Sequence, residues 1–197
     1  GTSSGGAQAK ESKQGTRDNT IRVLTPEASG TEVYENDDAS IDVSNASDGY
    51  VMVAYKGSAA KVRMLIETPA GNTHNYLMDL DGTYDVFPLS EGSGTYKIGV
   101  YENLHDNQYA VAFSQSVNIT LKDEYSMYLY PNAYVHFTAS STAVKKGQEL
   151  AAGADTDLDV VENVYHYITK NIKYDYDKAE TVESGYVPDV DETLATI

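Results

Sequence analysis

Gly94-Thr95-Tyr96-Lys97-Ile98-Gly99-Val100-Tyr101 alternates apolar and polar side chains with a period of two, and this stretch decides how the chain folds. Successive side chains of a strand point to opposite faces, so Tyr96, Ile98 and Val100 share one face. A polar turn follows, Glu102-Asn103-Leu104-His105-Asp106-Asn107, and then the run Tyr109-Ala110-Val111-Ala112-Phe113. Two such runs joined by a polar turn predict a β-hairpin.

The same pattern extends outward in both directions. Upstream lie Ile21-Arg22-Val23-Leu24, Glu32-Val33-Tyr34, Ser40-Ile41-Asp42-Val43-Ser44 and Tyr50-Val51-Met52-Val53-Ala54-Tyr55. Lys61-Val62-Arg63-Met64-Leu65-Ile66-Glu67, Asn75-Tyr76-Leu77-Met78-Asp79-Leu80 and Tyr84-Asp85-Val86-Phe87-Pro88-Leu89 follow, and Ser116-Val117-Asn118-Ile119-Thr120-Leu121 comes after the hairpin. Turn residues such as Asn36-Asp37-Asp38, Ser47-Asp48-Gly49, Ala70-Gly71-Asn72 and Asp81-Gly82 separate the runs. Short strands at this spacing predict a mainly β fold over 20–122, an antiparallel sandwich immunoglobulin-like in outline. Pro88 donates no ladder hydrogen bond, which places its strand at an edge or ends it there.

Composition agrees. Among 197 residues there are seventeen Tyr, three Phe and no Trp. Tyr suits half-exposed sheet faces, where the ring packs and the hydroxyl stays wet. The net charge of −16 argues against nucleic acid or anionic lipid as a direct ligand. The absence of Cys excludes disulfides, thiolate metal sites and a Cys nucleophile within these residues. No apolar run approaches the roughly 18 residues of a membrane span.

The ends of the chain differ from its middle. Residues 1–19 are rich in Gly, Ser, Gln and Lys and predict a flexible leader with a reach of about 25 Å. Such a leader suits the start of a mature, lipid-anchored surface protein, or an untethered disordered terminus. Residues 123–150 predict a connector, with a short helix from about Ala143 to Ala154 that exits through Gly153. Residues 156–171 predict the strongest helix. Leu158, Val161, Tyr165, Ile168 and Ile172 fall at spacings of three and four, one apolar stripe. Thr156 with Asp159, or Asp159 with Glu162, has capping-box spacing. Burying that stripe contributes about 1.5–3 kcal/mol per side chain, so a cover is expected: the sandwich edge, a second copy in a homodimer, or a body beyond this sequence.

Few motifs point to chemistry. Asp155-x-Asp157-x-Asp159 imitates the start of a calcium loop. It fails at its sixth position, Val160, and its twelfth, His166, so the acids read as helix capping. The four His, at 74, 105, 136 and 166, have no metal-ligand spacing. Gly92-Ser93-Gly94 is not a nucleophile elbow, and there is no Gly-rich phosphate loop. Catalytic, cofactor-binding and metal-binding residues are therefore all expected to be none.

The last third of the chain resembles bacterial exported transglutaminase-like proteins, which have a papain-like thiol core. The resemblance rests on Tyr128-Leu129-Tyr130-Pro131-Asn132-Ala133-Tyr134-Val135, on the helix leading to Tyr174-Asp175-Tyr176, and on Tyr186-Val187-Pro188-Asp189-Val190-Asp191-Glu192-Thr193-Leu194-Ala195-Thr196. It covers about residues 125–196. It implies a sandwich ahead of the catalytic domain, a strand at Tyr174-Asp175-Tyr176, and residues 151–197 as the N-terminal fragment of a transglutaminase-like α+β domain. In such proteins a Gly-x-Gly-x-Cys motif comes next, and its Cys is the nucleophile. Ile197 stands where the first Gly belongs, and no catalytic residue of the family maps onto this sequence. The resemblance thus implies the truncated, non-catalytic N-terminal region of an extracellular or cell-surface protein. A longer parent would act on protein or peptide through its thiol core. The alternative is a stand-alone binding module for carbohydrate, cell wall or protein.

Overall fold

The structure, a computed structural model, describes residues 15–183 and 185–196. Eight strands form two four-stranded antiparallel sheets. The first sheet runs β1 (Val33–Glu35), β2 (Ala39–Asp42), β3 (Tyr50–Tyr55), β6 (Tyr84–Pro88). The second runs β5 (Thr73–Leu77), β4 (Val62–Glu67), β7 (Gly94–His105), β8 (Gln108–Ile119). The chain crosses between the sheets after β3, after β5 and after β6. The expected β-sandwich is present.

Alternation builds the core. Val62, Met64 and Ile66 on β4 and Tyr96, Ile98 and Val100 on β7 are all essentially without solvent contact. They meet Ile41, Val51, Val53 and Phe87 of the facing sheet. β3 is buried on both faces. Its Tyr50 hydroxyl accepts the Glu27 N–H at 3.1 Å, and its ring lies 4.7 Å from Tyr130. Chain from outside the sheets thus covers the outer face of the first sheet.

Tyr96 closes the corner that leads into β7. Its buried hydroxyl lies 2.7 Å from both the Ser90 and Gly92 carbonyls. The connector is pinned at a different corner, near Gly49. The Lys122 N–H donates to the Ser47 carbonyl at 2.9 Å, and the Ser126 hydroxyl to the Asp48 carbonyl at 2.7 Å. Gly49 has φ 95°, and a Cβ there would fall 2.8 Å from the Met127 nitrogen. A left-handed backbone and a close chain crossing both demand glycine at this position.

Several expectations change. Residues 21–24 belong to no strand. The runs expected at 109–113 and 116–121 are one strand, β8, because Ser114-Gln115 continues the ladder. The register shifts between Val100 and Tyr101, and Ala112 is the extra residue opposite them. Ala112 and Phe113 both pack on the core, so the bulge moves the inward face from even to odd positions and leaves Val111 exposed.

Four helices follow: α1 (Thr142–Ala151), α2 (Asp157–Asn171), α3 (Tyr176–Thr181) and α4 (Val190–Ala195). The capping box on α2 is the Thr156 and Asp159 pair. The strand implied at Tyr174-Asp175-Tyr176 is absent. Asp175 instead caps α3, its carboxylate accepting the Lys178 N–H at 2.9 Å, since no described strand lies beside it to pair with. The leader expectation for residues 1–14 lies outside the described residues. Residues 16 and 17 are held: the Thr16 N–H donates to Asp155 at 2.9 Å, and Arg17 pairs with Asp157 at 2.6 Å.

Candidate functional site

Two surfaces stand out. The first is a cleft of about 540 Å³ where the sandwich edge, the connector and the chain near Tyr186 converge. The connector crosses β6 with the Ala133 N–H donating to the Val86 carbonyl at 2.8 Å. A tight turn follows, in which the Asn132 side chain accepts the Tyr134 N–H at 3.0 Å. That turn sets the Tyr134 ring 4.9 Å from Tyr76 and lets its hydroxyl donate to the Asn75 carbonyl at 3.1 Å. Tyr76 in turn meets Phe87 edge-on at 5.1 Å. An aromatic ladder therefore runs from the core to the cleft wall.

Lys61, Arg63, Asp79, Asp85 and His136 supply charge around those rings. Burial pushes the Asp85 carboxyl up to about 6. The Asp79 N–H, donating at 2.9 Å, opposes that shift, the Asp79 and Asp81 charges add to it, and His136 opposes it. Mixed charge beside aromatic faces suits a polar ligand with apolar flats, such as a sugar or a peptide. Among the described residues no group of three or more His, Cys, Asp or Glu is placed to hold a metal ion.

The second surface is helical. The Asp191 carboxylate accepts the Ala143 N–H at 2.8 Å and ties α4 to the start of α1. The Asn163 side chain donates to the Leu150 carbonyl at 2.9 Å and ties α2 to the end of α1. Between these helices lies an apolar groove of about 280 Å³ walled by Leu150, Val164, Tyr167, Ile168, Ile172 and Leu194. Of the stripe predicted for α2, Ile168 and Ile172 reach this groove, while Leu158, Val161 and Tyr165 point elsewhere. Leu158 is 73 % exposed, Val161 62 %, Tyr165 62 % and Ile168 45 %. The expected cover is therefore not the sandwich edge. Val160, Val164 and Tyr167, outside the stripe, are half-buried apolar positions, so α2 is apolar on two sides. Among the described residues α2, α3 and α4 contain no buried side chain, and α1 contains one, Ala151.

The sequence-level candidates stay apart. His74 lies 3.4 Å from Glu91, His105 3.7 Å from Asp106 and His166 3.4 Å from Glu162. His136 alone of the four lines the cleft. Asp155, Asp157 and Asp159 bond to Thr16, Arg17 and the α2 cap. The sequence reading missed the cleft, which joins residues far apart in the chain. Its one sequence-level signal is Asp85, an acid inside an apolar strand run.

The fold and its two surfaces define a two-sheet β-sandwich with a helical extension. No family model matches the chain, and no curated protein matches it. No helix among the described residues is long and apolar enough to cross a membrane.

Proposed function

We propose that this chain is the non-catalytic N-terminal region of an exported transglutaminase-like protein, and that its helical surface seats the thiol catalytic body. One observation carries this reading: α2 presents an open apolar face while the helices around it have almost no core of their own. Exposed apolar area of this kind marks an interaction site. The sandwich sets the orientation of the catalytic body and contacts the cell surface, and the N-terminal leader tethers the molecule outside the cell. The sandwich itself is immunoglobulin-like. This rests on the pairing of β3 with β6 and β4 with β7, and on the Tyr96 corner at the entry to β7.

The coding sequence after Ile197 tests the reading. A Cys within about ten residues, at a helix start where the dipole favours its thiolate, supports it. A stop codon directly after Ile197 overturns it.

The cleft favours a second reading, a stand-alone binding module for carbohydrate or protein. Tyr134 and Tyr186 line it together with charged side chains, and aromatic faces stack on sugar rings. Titration of glycans and wall fragments, followed by Tyr ring resonances, decides this. Absence of shifts at about millimolar ligand removes simple sugar binding.

A further inference from the structure

We propose that the outer edge of β8 over residues 113–119 is a self-association surface, on which the same strand of a second copy pairs antiparallel about a two-fold axis. Four strands end the two sheets, and three of those ends are protected. β1 is only three residues long. β6 carries Pro88, and its Val86 carbonyl is taken by the connector. β5 is five residues long, and its Asn75 carbonyl is taken by the Tyr134 hydroxyl. β8 is different: it runs for twelve residues with no charged side chain and no Pro. An exposed edge presents unpaired N–H and C=O groups, and charge, Pro and short length are the usual protections against pairing. Two of its carbonyls are taken by side chains: Gln115 donates to the Ser116 carbonyl at 3.0 Å within the strand itself, and Asn36 donates to the Ala112 carbonyl at 3.0 Å at the bulge. Beyond it, no strand among the described residues pairs with the outer side of residues 113–119.

The strand is complementary to itself. Centring the two-fold on Ser116 sets Phe113 against Ile119 of the second copy and Gln115 against Val117, all on the core side. Ser114 then meets Asn118 on the exposed side. Phe113 with Ile119 and Ser114 with Asn118 are like pairs, Gln115 with Val117 is a mixed one, and no carboxylate opposes another. Elsewhere a surface of net charge −16 repels a second copy, so an uncharged strand is where contact costs least. The residue opposite Ser116 on β7 is Lys97, already 3.5 Å from Glu67. β8 offers no charge for a foreign basic or acidic peptide to select. A ladder of this length is small beside the roughly 1,200–2,000 Å² of a stable interface, so the dimer is reversible. Because its opposing force is long-range repulsion, it tightens as salt rises.

Sedimentation equilibrium of the full chain at about 0.02 M and about 0.5 M salt tests this. Wild type is expected to dimerise, more tightly at the higher salt. Ser116 is exposed, so Ser116→Lys preserves the fold while placing two ammonium groups opposite each other at the axis. It is expected to weaken the dimer about tenfold or more. Val161→Lys, on the exposed face of α2, is expected to leave the dimer intact. Amide exchange of wild type gives a second readout, with concentration-dependent protection at residues 113–119. A monomer at every salt concentration up to about millimolar protein overturns the proposal. So does a dimer that Val161→Lys dissolves and Ser116→Lys does not, or protection confined to α2.

Discussion

Tyr96 and Asp85 show two opposite uses of a buried polar group. The Tyr96 hydroxyl is 2.7 Å from two carbonyls, so its burial is matched by hydrogen bonding. Tyr96→Phe removes the donor and leaves two half-buried carbonyls without it. A loss of about 1–3 kcal/mol is expected, read as a lower urea midpoint with an unchanged slope. Asp85 is held in the cleft wall against its charge. The folded chain binds its proton up to about 6, whereas the ordinary carboxyl lets go near 3.8. Below about pH 4 both states hold the proton and the site costs nothing. As pH rises from there to about 6 the unfolded chain gains the advantage, so stability falls through that window and stays reduced above it. Asp85→Asn keeps an oxygen for the Asp79 N–H and abolishes this slope. It is expected to stabilise the chain above pH 7 by on the order of 1–2 kcal/mol, with the shift discounted for partial exposure. Urea titrations across the pH range measure both effects.

At the scale of elements, the capping box and the bulge decide what stays legible. Thr156 and Asp159 exchange hydrogen bonds of 3.2 and 2.8 Å at the start of α2. Spacing offered this pair or Asp159 with Glu162, and the structure takes the first, whose chemistry lies within four residues. With no buried side chain to support α2, the cap matters more than it would in a packed helix. Thr156→Ala is expected to cost about 1 kcal/mol, seen as faster amide exchange over the first two turns of α2 while the sandwich is unchanged. Strands β4 and β7 were legible because inward and outward side chains alternate along them, and β3 as a short apolar run between turn residues. The unity of β8 was not, because the bulge at Ala112 reverses its parity and Ser114-Gln115-Ser116 then reads as a break. The strand implied at Tyr174-Asp175-Tyr176 fails for a different reason. A strand needs a neighbour, and Asp175 finds its bond locally as a helix cap.

Across the whole molecule, stability is uneven. Phe87, Tyr96, Ile41 and Met64 sit in one sandwich core, while the helical extension leans on a few hydrogen bonds and a shallow groove. Limited proteolysis is expected to cut within the helical extension first and leave a resistant fragment that contains all eight strands, as mass spectrometry of the digest would record. A first cut inside the sandwich would contradict this ordering. The sandwich was legible from local periodicity, but the cleft was not. It depends on the connector laying Tyr134 and His136 beside β5 and β6, a long-range placement that no short window contains.

The clip between Thr16 and Arg17 and the acids at the start of α2 also has a mechanical meaning. Tension applied to the N-terminal segment and to the helical extension would pass through these contacts and leave the eight strands unloaded. Exposed ion pairs are weak, so the clip gives way first. The clip is thus a fuse in parallel with a spring. A small force opens the clip and transfers the pull to the sandwich, whose antiparallel ladders resist until a much larger force arrives.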